Sequence, residues 1–178
     1  MASVDLAVGL MSGTSADGIT AALVRFTGRR VTVLAYRTFP YSRALRCRVL
    51  EAPGMEAPEI SQLNAELGEM FAGAARRIMR GHRRPGVIGS HGHTVWHGPQ
   101  DDPPNTLQLG EHSIIAERTG IPVVADFRPR DIAAGGQGAP LMPAFDEFLF
   151  AAGPLRAVQN IGGIGNVSFV GRGRLWTA

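Results

Sequence analysis

Ile60, Leu63, Leu67, Met70, Phe71, Ala74 and Ile78 recur at steps of three and four, the apolar stripe of one amphipathic helix over residues 59–80. What precedes that stripe is of the opposite kind. Residues 5–10, 19–26 and 31–39 are short runs rich in β-branched and apolar side chains, the last two joined through Thr27-Gly28-Arg29-Arg30. A three-stranded antiparallel meander followed by a long helix already demands a sheet with a helix packed on one face. After Gly81 the chain alternates: strand over 87–90, helix over 111–119, strand over 121–125 and helix over 140–152. The expectation is a mixed α/β fold with a five-stranded sheet covered by helices. Three more strand-like pieces, 156–160, 167–170 and 175–178, follow Gly153-Pro154. They predict a domain over 1–154 and the first strands of a second, truncated domain over 155–178.

Composition then narrows the chemistry. All 18 basic residues besides histidine are arginine. Without lysine there is no Walker A phosphate lysine, no kinase strand lysine and no Schiff-base amine. A pI near 10.0 reflects the scarcity of groups that titrate above neutrality, since the formal net charge is only +3; a nucleic-acid face is not expected. The cluster Arg76, Arg77, Arg80, Arg83 and Arg84 suits the negative end of the helix that precedes it. One cysteine, Cys47, allows no internal disulfide and fits a reducing compartment, so the expected location is the cytoplasm, away from membranes.

Two glycine-rich turns between strands carry the chemistry. In Ser12-Gly13-Thr14-Ser15-Ala16-Asp17-Gly18 the backbone N–H groups and hydroxyls can form a nest for phosphate oxygens. A carboxylate among phosphates is tolerable with a divalent cation between them, so Asp17 points to Mg²⁺; a plain hairpin turn is the competing reading. The second turn, Asn160-Ile161-Gly162-Gly163-Ile164-Gly165-Asn166, repeats the device but has Ser168 where a dinucleotide fingerprint needs glycine. His91 and His93, with His97 nearby, have spacing that could also bind zinc in a metal-dependent hydrolase.

The segments GLMSGTSADG (9–18), IGSHGHTVWHGP (88–99), TLQLGE (106–111), ERTGIPVVADFRPRDIAAGGQGAPLMPAF (117–145) and NIGGIGNVS (160–168) together resemble the anhydro-N-acetylmuramic acid kinase family. That resemblance implies the ribonuclease H-like, actin-like ATPase fold and an ATP- and Mg²⁺-dependent enzyme of peptidoglycan recycling. Such an enzyme opens the 1,6-anhydro ring and phosphorylates O6. It further implies that Gly13, Thr14, Ser15, Ala16, Asp17, Gly18, Ile19 and Thr20 form the ATP phosphate loop, with Asp17 toward the metal. Asn160, Gly162 and Gly163 then match a second loop near the nucleotide, and His91, Thr94, Arg128 and Asp131 border the sugar. An ion pair between Arg128 and Asp131 is the alternative for those two residues, and a tight backbone crossing for Gly135-Gly136-Gln137-Gly138.

Three positions depart from the family pattern: Thr20 stands where an acid is usual, His93 where Gln is usual, and Pro129 where Arg is usual. The family's catalytic base belongs to a segment beyond Ala178, with Asp126 and Asp131 the nearest acids. The 178-residue chain is therefore expected to be inactive alone. A non-catalytic binding fragment and the zinc hydrolase are the other function classes. Expected partners are ATP and the anhydro sugar, with a homodimer open.

Overall fold

The computed structural model describes residues 5–161 and 165–177. Strands β1 (Leu6–Ser12), β2 (Gly18–Thr27) and β3 (Arg30–Pro40) form the antiparallel meander. Helix α1 (Arg43–Glu51) follows, started by the Ser42 hydroxyl, which accepts the Leu45 N–H at 3.2 Å. A 3-10 turn leads to α2 (Ala57–Ile78), where Glu56 and Glu59 form a reciprocal capping box. Then come β4 (Val87–Gly98), β5 (Asn105–Leu109), α3 (His112–Thr119), β6 (Val123–Val124), α4 (Phe127–Ala133) and α5 (Met142–Phe150). The chain finishes with β7 (Arg156–Asn160), β8 (Asn166–Gly171) and β9 (Arg174–Thr177).

The main sheet runs β3-β2-β1-β4-β5, with β6 also on β4. β1, β4 and β6 are parallel, while β2, β3 and β5 run against their neighbours. This is the expected mixed α/β, ribonuclease H-like arrangement. It has six strands rather than five, because β4 continues to Gly98 and folds back as a hairpin with β5. Polar, half-exposed residues hide that extension from an apolar count. β6 is correspondingly shorter than expected.

The predicted helical stripe is the core. Leu63, Leu67 and Phe71 of α2 are fully buried against Val8, Leu23, Ile88 and Ile115. Each such side chain contributes roughly 1.5–3 kcal/mol by leaving water. β7, β8 and β9 form a separate antiparallel sheet, order β7-β8-β9, with α5 packed on β8 and β9. From its other side α5 reaches the β2–β3 hairpin: Phe148 meets Phe26 edge-on at 6.2 Å, and the Arg29 guanidinium lies 5.2 Å above the Phe148 ring. Among the described residues no helix is long and apolar enough to cross a membrane.

Candidate functional site

The loop from β1 to β2 is built on backbone geometry. Ala16 is fully buried at φ 49, a left-handed conformation rare for a residue with a Cβ, and its N–H closes a turn on Gly13 O at 3.0 Å. That arrangement leaves Thr14, Ser15 and Asp17 exposed. Arg46 donates to Ser15 O at 3.1 Å and Tyr41 N–H to Asp17 O at 3.1 Å, so α1 and the end of β3 brace the loop. The remaining expected loop residues lie at the start of β2. Ile19 is 1 % exposed in the core, and Thr20 lies inside β2 with its hydroxyl 3.0 Å from that of Thr38. Gly18 is required by packing: a Cβ there would stand 2.3 Å from Phe39 O.

Beneath the loop lies a buried polar layer. Ser12 Oγ is 3.1 Å from His93 Nδ1, and both residues are at most 3 % exposed. Burial holds the His93 imidazole below its usual pKa, with His91 acting in the same direction. Burial also pushes the Tyr41 phenol up to about 12, with the neighbouring Ser12 hydroxyl acting against it and the charge of Asp17 with it.

His91 belongs to a different network. Its Nε2 receives the Arg128 Nε–H at 2.9 Å, so the proton resides on Nδ1, which donates to Gly92 O at 3.1 Å. Burial lowers its pKa, and the Arg128 charge acts the same way. Arg128 also donates to Gly138 O at 2.6 Å, while Asp131 Oδ2 accepts the Gly138 N–H at 2.7 Å. Arg128 and Asp131 thus tie the glycine-rich loop through Gly138 and make no ion pair with each other. Thr94, farther along β4, accepts from Gln108 Nε2 at 3.4 Å.

The zinc arrangement is not formed, since His91 and His93 serve different partners. Among the described residues no three His, Cys, Asp or Glu side chains are gathered for a metal. Asn160 ends β7 on the second sheet and is exposed; Gly162 and Gly163 lie outside the described residues.

A cavity of ≈ 80 Å³ sits beside His91, lined by Asn64 of α2, Ser90 and Gly92 of β4, Gln108 of β5, the turn into α3, and Asp126. Sequence reasoning missed it, because its walls come from four separate stretches. Asp126, at φ 57, is a second left-handed non-glycine residue beside a candidate site.

Strand order and the glycine-rich loop between β1 and β2 define the class: a ribonuclease H-like α/β domain of the actin-like ATPase type. A solved structure titled "Reductive activator for corrinoid,iron-sulfur protein" shares the fold, with TM-score 0.52 at 10% identity over 99% of this chain and 31% of that one. The profile of the family "Anhydro-N-acetylmuramic acid kinase" matches residues 5–175, and the chain belongs to that family. The protein of that name from Xanthomonas oryzae pv. oryzae (strain MAFF 311018) is 51% identical over 94% of this chain and 48% of its own length. The one from Caldanaerobacter subterraneus subsp. tengcongensis is 46% identical over 94% of this chain and 47% of its own. The chain spans about half the length of the curated relatives it matches.

Proposed function

We propose that this chain supplies the phosphate loop and the sugar-side wall of an ATP-dependent kinase acting on 1,6-anhydro-N-acetylmuramic acid. In that reaction water attacks the anomeric carbon and the C1–O bridge bond breaks. The bridge oxygen, now O6, takes the γ-phosphoryl group, giving N-acetylmuramic acid 6-phosphate and ADP. The observation that carries the reading is the family match together with the loop it contains: Thr14, Ser15 and Asp17 are exposed on a strained, braced backbone between two strands. The exposed Asp17 carboxylate fits a Mg²⁺ held partly through water, and the metal would screen phosphate charge there. Arg128 suits a carboxylate of the sugar because only two of its donors are engaged, one by His91 and one by Gly138. The β7–β9 sheet opens a second domain in this reading, with Asn160 facing the nucleotide.

We also infer that these residues alone bind without turnover. Glu111 is spent on the Ser113 N–H and Asn64, Asp131 on Gly138, and Asp126 faces His112 at 4.0 Å. Glu111 and Asp131 are thus engaged in holding backbone turns, and the family's base is expected outside these residues. Calorimetry tests the binding: Asp17→Asn should weaken Mg-ATP at least about tenfold, more than one ordinary hydrogen bond and in line with loss of a charged contact. Unchanged affinity would overturn the phosphate-loop assignment, and sugar phosphate formed by the 178-residue chain at an ordinary enzymatic rate would overturn the claim of binding without turnover.

A further inference from the structure

The small net charge of the chain hides a segregation. Seven arginines and no acid lie between Asp17 and Glu51, and five arginines and no acid lie between Glu69 and Asp101. Among the described residues only two of these twelve meet a carboxylate, Arg48 on Glu66 and Arg83 on Asp5. Arg29, Arg46 and Arg84 donate to backbone carbonyls instead. Four of the others gather along β3: Arg30 and Arg37 on the strand, Arg25 across from Thr32, and Arg77 of α2 beside Phe39.

β3 is the outer strand of the main sheet. It pairs with β2, and among the described residues nothing pairs with its other side. Alternate backbone N–H and C=O groups along its eleven residues therefore point outward, open to another chain. The side chains on this edge are sorted by a bulge. Thr27 pairs with Arg30 and Ala21 with Arg37, so seven steps along β3 match six along β2. On a regular strand residues seven apart lie on opposite faces. The extra residue near Leu34 brings Arg30 and Arg37 to the same face, the one on which Ala21 and Leu23 are buried. Val33, across from Val24, and Tyr36, across from Ala22, share the other face and are 59 % and 68 % exposed. Phe39 holds two of the cations in place, with the Arg37 and Arg77 guanidinium groups 5.5 and 5.6 Å from its ring centroid.

We propose that β3 is a docking edge for an extended segment of another protein in which acidic and apolar residues alternate. The acids face Arg30 and Arg37, and the apolar side chains face Val33 and Tyr36. A strand added to a sheet presents successive side chains to opposite faces, so the two-sided edge demands a period of two in its partner. Main-chain hydrogen bonds supply the attachment and the two rows of side chains supply the choice of sequence. Charge excludes a second copy of this chain. Antiparallel pairing of two β3 strands would set the Arg29–Arg30 end of one against the Arg37 end of the other, and like charges placed opposite one another are unfavourable. The same arginines that repel a copy attract an acidic strand. This surface goes beyond the kinase reading and does not depend on it.

Fluorescence anisotropy with the 178-residue chain tests the assignment, using a labelled peptide of alternating Glu and Val. Two controls have the same composition and charge: one with the Glu residues grouped in a block, and one alternating but N-methylated at every second backbone nitrogen. Wild type should bind the plain alternating peptide about tenfold or more tightly than either control, the worth of one or two hydrogen bonds. Arg30→Glu combined with Arg37→Glu should reverse the preference, so that a Lys/Val alternating peptide binds in place of the Glu/Val one; that gain also shows that the variant is folded. The wild-type comparison decides whether or not the variant folds. No binding of the alternating peptide, or equal binding of all three, would overturn the docking edge. Tighter binding of a single-stranded RNA of the same charge, or of phosphatidylglycerol vesicles, would overturn it in favour of a general polyanion surface.

Discussion

Acidification should loosen this protein well before its carboxylates protonate. Burial keeps His91 and His93 below the usual imidazole pKa, and the charge of Arg128 on His91 and of His91 on His93 acts the same way, against the hydrogen bonds to Gly92 and Ser12. Protonated His91 would set two cations against each other, because its Nε2 is the acceptor for Arg128. His93 is 3 % exposed beside Ser12. In the unfolded chain both titrate near 6.5. Below that value the unfolded chain takes up protons that the folded chain refuses. The stabilisation is therefore complete above about pH 6.5 and is lost as pH falls from there through the depressed folded values. Each such proton can tilt the equilibrium by at most about 1.4 kcal/mol per pH unit. His97 shifts in the same direction but is exposed and adds little. Glu69 and Glu111 have lowered pKa values and enter only in the carboxylate range. Urea denaturation followed by Trp96 and Trp176 fluorescence, at about pH 7.5 and about pH 5.5, measures the slope. His93→Gln removes one titrating group and leaves an amide for Ser12, so the slope should fall by about half. A wild-type midpoint that does not move between those two pH values, or a slope unaffected by His93→Gln, would refute the reasoning.

Alkaline conditions probe the same layer from the other side. The Tyr41 phenol is raised to about 12, so its contribution is complete below about pH 10 and disappears as pH climbs toward 12; Tyr41→Phe should flatten that limb of the stability profile. Gly18→Ala should push β3 away from β2, costing about 1–3 kcal/mol in urea denaturation and weakening Mg-ATP binding, since the new Cβ meets Phe39 O and Pro40 Cα. Unaltered nucleotide affinity in that variant would separate the loop from the strand that braces it. Arg128→Lys should weaken the anhydro sugar by about tenfold or more while sparing Mg-ATP, because an ammonium cannot reproduce the fork that reaches His91 and Gly138; equal losses of both ligands would argue for general unfolding.

Legibility in the sequence followed the range of the forces involved. The stripe through Leu63, Leu67 and Phe71 was readable because helix packing repeats a local period, and every one of those residues is buried. The meander was readable for the same reason. Helix α1 went unnoticed although Ser42 caps it and Leu45 and Val49, four residues apart, form its buried face; a nine-residue helix with three arginines shows too narrow a stripe. Helix α4 was hidden by Pro129 and by the left-handed Asp126 at its start. The exposed, glycine-rich turn between β1 and β2 was legible from its glycines and its acid. The contact of Asp131 Oδ2 with the Gly138 N–H could not be read from sequence, because it joins the two ends of a loop. The cavity had no sequence signal at all, since Asn64, Ser90, Gln108 and Asp126 converge only when α2, β4, β5 and β6 are assembled.

The His91-x-His93 spacing shows how one backbone irregularity overrides a motif. On a regular strand, residues two apart share a face, and two imidazoles there could share a metal. Here Leu10 pairs with Ser90 but Ser12 pairs with His93, so three steps along β4 match two along β1. The extra residue is a bulge, and such a bulge re-aims the side chains around it. Gly92 makes it possible: φ is 73, and a Cβ would stand 2.6 Å from Leu109 O. Across the bulge Ser90 and His93 lie buried, His93 beneath the phosphate loop, while His91 turns to meet Arg128. In the proposed kinase reading, one strand would thereby support the phosphate side through His93 and the sugar side through His91. If the chain acts as proposed, in-line transfer needs those two sides held at a fixed separation, and β4 would provide a rigid connection between them only two residues long.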